Sequence, residues 1–150
     1  MAFCPTIHPD CRIVFIPKYF QACGYGMYVE QNGNNVQIED GKKFEIGVQL
    51  GNTDRWFAIK ILINGQQPFD SRCSRYTSFG KGNPKKLSGL HTLYFRKDDG
   101  VFGLSVVDVF VYWLDCDGSF NGKISDEPFH VERFYLTDKT TPHAPEPEDV

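Results

Sequence analysis

Hydrophobic and polar positions alternate most regularly between residues 41 and 65. Phe44, Ile46, Val48 and Leu50 occupy alternate positions, and so do Phe57, Ile59, Ile61 and Ile63. A period of two marks a strand with one buried face. The segment between the two runs, Gly51-Asn52-Thr53-Asp54, consists of turn formers. A short polar linker between two such strands predicts an antiparallel hairpin. Shorter pieces of the same pattern predict strands over 12–20, 27–31, 36–39, 90–97, 101–115 and 129–136. Pro17 assigns the first of these to an edge or a bulge. In the long apolar run, Val107, Val109, Val111 and Trp113 alternate with Asp108, Phe110 and Tyr112. Its β-branched residues favour strand over helix.

Turns fall at Gln31-Asn32-Gly33-Asn34-Asn35, Asp40-Gly41, Asn64-Gly65 and Asp98-Asp99-Gly100, where Asn and Gly tolerate positive φ. Residues 66–89 hold no period and read as a long loop, and 117–126 read as a polar loop. No stretch shows a helical period, and no internal repeat appears. The expected fold is therefore all-β: an antiparallel β-sandwich, jelly-roll-like, of seven or eight short strands. One domain spans 12–136, with an irregular lead over 1–11 and a disordered acidic tail over 137–150.

Composition agrees with this class. Phe alone supplies 13 of 150 residues, and 14 Gly with nine Pro provide the turns that short strands need. There is no apolar run long enough to span a membrane. The N-terminus, MAFCPTIHPDC, lacks the basic-then-apolar order of a secretory signal. With five scattered Cys, reduced thiols in the cytoplasm, or in a particle assembled there, are expected. The net charge of −3 is unevenly distributed. Ser71 to Lys97 carries seven cations and no acid, whereas the remainder carries nine cations and 19 anions. Such segregation marks a surface for a partner.

Tyr28-x-Glu30, Gly41-Lys42-Lys43-Phe44-x-Ile46, Asn52-x-x-Arg55 and Ile61-x-Ile63-Asn64-Gly65 follow one another in that order. In this the chain resembles a recurrent sandwich module of uncharacterised microbial, phage and large-virus proteins, with Asn64 where Asp is usual. The likeness covers about a quarter of the chain. It implies a structural or surface-display role, often in viral or appendage particles, and brings no catalytic residue. Leu90-His-Thr-Leu-Tyr-Phe95 and the later strands are also similar to the β-domain of the von Hippel–Lindau substrate receptor. The helical elongin-binding segment of that family is missing, so its function does not carry over.

Three groups of residues suit ligand chemistry. Arg72, Arg75, Tyr76, Phe79, Lys81, Lys85 and Lys86 mix cations with aromatics, as phosphate gripping and base stacking require. A solvated loop balancing an acidic body is the plainer reading. Asp117, Ser119, Asn121 and Ser125 sit at EF-hand spacing around Gly122, a calcium pattern. Pro128 stands where the bidentate Glu belongs, and a hairpin loop has the same composition. Cys4, His8, Cys11 and Cys23 form a donor set for tetrahedral zinc, although small buried thiols are commoner.

Catalytic signatures are sparse. There is no GxSxG, HExxH or Gly-rich phosphate loop. Cys73, between Arg72 and Arg75, with His91 as base would need the fold to join them. His130 and Glu132 share one face of a strand and read as a structural or solvent-facing pair. Glu148-Asp149-Val150 reads as a solvated tail, or as a carboxylate for a peptide-binding domain.

The expected function is a non-enzymatic structural or assembly module, a minor capsid or particle-surface component, working without a cofactor through self-association or a protein partner. The competing expectation is a lectin-like or phosphate- or nucleic-acid-binding module using loop 72–86. An exposed Trp56 beside a concave surface would favour the second, whereas burial of both Trp56 and Trp113 would oppose it.

Overall fold

Residues 44–50 and 57–63 form strands with the buried faces their alternation predicts, yet they do not pair. In the computed structural model, which describes residues 3–17, 28–66, 78–94, 105–115 and 122–139, they belong to opposite sheets. The described elements are β1 (Cys11–Pro17), β2 (Val29–Asn32), β3 (Asn35–Ile38), β4 (Lys43–Leu50), β5 (Trp56–Ile63), β6 (Ser78–Lys81), β7 (Ser88–Tyr94), β8 (Ser105–Asp115), β9 (Lys123–Ile124) and β10 (His130–Asp138). A small sheet has the order β1-β4-β7. A large sheet has the order β2-β3-β10-β8-β5-β6, with β9 paired to β8. The chain is an all-β sandwich.

The expected hairpin is thus corrected to an arch: residues 51–55 carry the chain from one sheet to the other. Alternation fixes which face of a strand is buried but not whether the next strand lies beside it or across from it. Contacts remote in sequence hold the arch. Gly51 N–H donates to the Asp10 carbonyl (2.9 Å), Asn83 N–H to Leu50 (2.8 Å) and Gly82 N–H to Arg55 (2.8 Å). Asn52, at φ 57°, donates through Nδ2 to Asp10 Oδ1 at 2.9 Å.

Other departures are smaller. The expected loop 66–89 contains β6 and the start of β7, and the expected loop 117–126 contains β9. The described residues form ten strands, where seven or eight were expected. Not every pair is antiparallel, since β10 runs parallel to β3, aligning Tyr135 with Asn35. Three turns form as read. Gly33-Asn34 joins β2 to β3, Gly41 turns into β4 at φ 82°, and Asn64-Gly65 takes φ 51° and 82° between the bridged residues Ile63 and Gln66, the signature of a type I′ turn. β1, with Pro17, is an edge strand.

The core lies between the sheets. Phe44, Ile46, Val48 and Leu50 face Phe57, Ile59, Ile61, Ile63, Val107, Val109 and Val111, all essentially without solvent exposure. Each such side chain contributes roughly 1.5–3 kcal/mol on burial. Aromatic rings bridge the layers: Phe15 of β1 stacks near Phe44 (centroids 6.0 Å apart) and meets Phe134 of β10 edge-on (5.0 Å).

Both open sides of the sandwich are closed by side-chain-to-backbone bonds. On one side the Gln31 carboxamide, from β2, accepts from Phe15 N–H (2.9 Å) and donates to the Ile13 carbonyl (3.1 Å). On the other side Ser78 Oγ donates to the Gly89 carbonyl (2.7 Å), and Lys81 N–H donates to Ser88 Oγ (2.8 Å). Gly80 permits this second seam. A Cβ there would lie 2.5 Å from Ser88 Oγ, 2.6 Å from Phe57 Cζ and 2.7 Å from Gly89 N. Edge strands left bare invite pairing with other chains, and these polar bridges occupy part of each edge.

Candidate binding face

The register of the large sheet decides which residues face outward. On β5, Phe57, Ile59, Ile61 and Ile63 point into the core, so Trp56, Ala58 and Lys60 point out. Trp56 lies opposite Leu114 of β8 and Lys81 of β6. Ala58 lies opposite Tyr112 and Phe79, and is fully buried between them. Trp56 is 41% exposed and Phe79 48%. Lys81 Nζ stands 5.8 Å from the Trp56 ring centroid, and Lys60 Nζ stands 5.7 Å from that of Phe110. The outer face of β6, β5 and β8 is therefore an aromatic surface set with ammonium groups.

At the end of this face, Asp54, Arg55, Trp56, Lys81, Leu114 and Asp115 line a hollow of about 310 Å³. The Arg55 guanidinium lies 4.0 Å over the Trp113 ring and reaches Asp115 Oδ1 at 3.5 Å. Its backbone is held by Thr53 Oγ1, which accepts its N–H at 3.1 Å, and by Gly82. Trp113 is half-buried, stacked on Phe129 with centroids 4.0 Å apart.

The basic-aromatic group is only partly represented here. Phe79 and Lys81 lie on β6 beside Trp56, whereas Lys85 and Lys86 lie in the turn that leads to β7. Arg72, Arg75 and Tyr76 lie outside the described residues. So do Asp117, Ser119 and Asn121 of the calcium pattern. Ser125 follows β9, where its hydroxyl accepts from Trp113 N–H (3.1 Å) and donates to the Glu127 carbonyl (2.9 Å). Of the zinc set, Cys23 is outside the described residues, Cys4 is exposed and Cys11 is buried. Among the described residues no three His, Cys, Asp or Glu side chains cluster as metal ligands. Burial, and then the Glu132 charge, push the Cys11 thiol up to about 12, so it is protonated at neutral pH. His91 falls on β7, and Cys73 and the acidic C-terminus lie outside the described residues.

His130 is fully buried with both ring nitrogens engaged. The backbone N–H of His8 donates to Nδ1 at 3.0 Å, which places the proton on Nε2, donating to Glu132 Oε1 at 2.8 Å. His8 Nδ1 in turn accepts from Asp10 N–H at 3.1 Å, and its ring meets Phe129 edge-on. Protonating His130 at Nδ1 would break the bond from His8. Burial lowers its pKa below the ordinary value of 6.5, outweighing the opposing pull of Glu132. The unfolded chain takes up this proton near pH 6.5 and the folded chain does so only at lower pH. Stability from this group is thus complete above pH 6.5 and is lost as pH falls through the folded-state value. The thermal midpoint is expected to drop between pH 7.5 and 5.5, and His130→Gln to show a smaller drop. Equal drops would contradict the assignment.

The class defined by this geometry is an all-β sandwich with an aromatic, cation-bearing outer face. No protein-family model matches the chain, and comparison with curated proteins and with solved structures finds no match. Among the described residues no helix is long and apolar enough to cross a membrane.

Proposed function

We propose that this chain is a non-enzymatic module that works through surface contacts, with the outer face of β6, β5 and β8 as its ligand-binding face. The observation that carries the reading is the exposure of Trp56 beside the hollow formed with Lys81, Arg55, Asp54 and Asp115. Exposed large aromatics gathered on rigid strands, with polar groups around them, suit recognition.

A structural or assembly role, as a particle-surface or minor capsid component, is the second reading. It is favoured by a separate hollow of about 420 Å³ lined by Phe3, Pro5, Ile7, Asn34, Glu132, Arg133 and Tyr135, where Ile7 is 58% and Tyr135 48% exposed. Apolar groups so exposed suit a protein contact.

Tryptophan emission and light scattering, recorded with a neutral oligosaccharide set, an oligo-dT and inorganic phosphate, separate the two. The first reading expects at least one probe to shift the emission, and Trp56→Ala with Phe79→Ala to abolish the shift. Concentration-dependent assembly that Tyr135→Glu abolishes, with no probe response, would establish the second instead. A chain that answers no probe and stays monomeric would defeat both.

A further inference from the structure

We propose that the Trp56 hollow binds a neutral sugar residue of a glycan, with the indole as stacking platform and the surrounding charged groups as hydroxyl partners. The inference rests on the surface-contact reading and names its ligand. Three features select this class. First, register aligns Leu114, Trp56 and Lys81 across three adjacent strands, so the indole sits on a rigid support and needs little ordering on binding. A pyranose has the complementary build, with C–H bonds on one face and hydroxyls around the rim. The first meets an apolar ring and the second meets polar side chains.

Second, the charges around the hollow balance. Asp54 and Asp115 oppose Arg55 and Lys81. Carboxylates accept from hydroxyls, and guanidinium and ammonium groups donate to hydroxyl or ring oxygens. A polyanion gains nothing net from such a rim, because two carboxylates repel its phosphates. Nucleic-acid grooves carry cations in excess. Third, the size fits. About 310 Å³ stands at the lower end of small-molecule sites, about 300–1,000 Å³, which is room for one or two rings of a longer chain. Arg55 is held over Trp113 and against Asp115 at 3.5 Å, and its backbone is fixed by Gly82 and Thr53. The Arg55 donor therefore stands in place before the ligand arrives.

The experiment takes the full chain to an array of neutral and anionic glycans and follows hits by calorimetry, with oligo-dT as comparison. At least one neutral glycan should bind saturably. Raising NaCl from about 50 to 500 mM should change its affinity by less than about twofold, since no counterions are released. Trp56→Ala should weaken binding at least about tenfold and Asp115→Asn severalfold, while the thermal midpoint of both variants stays near that of the parent. A midpoint that collapses in Trp56→Ala transfers the test to Trp56→Phe, expected to retain partial binding, and to Asp115→Asn. No neutral glycan bound, binding unaltered in these variants, or affinity that falls steeply with salt would overturn the inference. Binding of oligo-dT or of anionic glycans alone would overturn it too, while leaving the surface-contact reading intact. Silence from every class would remove both.

Discussion

Replacing Phe134 by Ala is expected to lower the unfolding free energy by about 3–5 kcal/mol, the range for deleting a buried aromatic ring. Phe134 is 1% exposed and meets Phe15 edge-on at 5.0 Å, and Phe15 in turn stacks near Phe44. The ring thus connects β10 of the large sheet to β1 and β4 of the small one. Its removal leaves a cavity against the Phe15 ring, in the buried layer between the sheets. Domains of this size are stable by about 5–15 kcal/mol, so the variant would lose roughly a fifth of that or more. Tyr135→Ala, one residue along and facing outward, is the control and should cost less than about 1 kcal/mol. Urea unfolding read by circular dichroism measures both. A loss below about 1 kcal/mol for Phe134→Ala would mean that the aromatic bridge between the sheets is misplaced.

The second large effect is expected at Arg133. Its Nε donates to Asp108 Oδ1 at 2.7 Å and its terminal nitrogen to Oδ2 at 3.1 Å, a two-point match of fork to carboxylate. Hydrogen bonding to Asp108 holds the guanidinium above its ordinary pKa, and the Phe3 ring covers it at 4.2 Å. Asp108 is buried and Arg133 is about a third exposed. Arg133→Met keeps the aliphatic stem but leaves a buried carboxylate without its cation. The cost for a fully buried pair is about 3–5 kcal/mol. Solvent at the Arg133 end reduces this to about 2–3 kcal/mol. Adding Asp108→Asn should restore part of the loss, and a double-mutant cycle reads the coupling directly. Additive effects would show that the pair contributes nothing beyond its separate side chains.

The sequence carried the faces of the strands better than their neighbours. Parity alone places Phe57 inward and Trp56 outward, so the exposed indole was legible once residues 57–63 were recognised as a buried set. The arch was not legible. Gly51-Asn52-Thr53-Asp54 suits a hairpin turn or a crossing equally well. What decides between them is bonding to Asp10 and to the Gly82-Asn83 segment, far along the chain. β6 escaped notice because Ser-Phe-Gly-Lys shows no run of apolar residues. Gly80 is inward because the β7 backbone comes too close for a side chain, a requirement invisible without the partner strand. The pairing of His130 with Glu132 was readable from their spacing of two. Its other bond, from His8 N–H across 122 positions, was not. Nor does alternation report the hollow at Trp56, which arises where three strands end together.

The place of β10 bears on how the protein is made. It is the last described strand to leave the ribosome, yet it inserts between β3 and β8 in the interior of the large sheet. Its partner Asn35 was synthesised about 100 residues before Tyr135. Until β10 emerges, the nascent chain holds the β2–β3 hairpin and the β5–β8 pair as separate fragments, each with an open hydrogen-bonding rim. The final closure joins them by pairing residues about 100 positions apart, with β4 to β9 between them in the chain, a slow step by topology. Chaperone demand should therefore peak just before residues 130–138 become available.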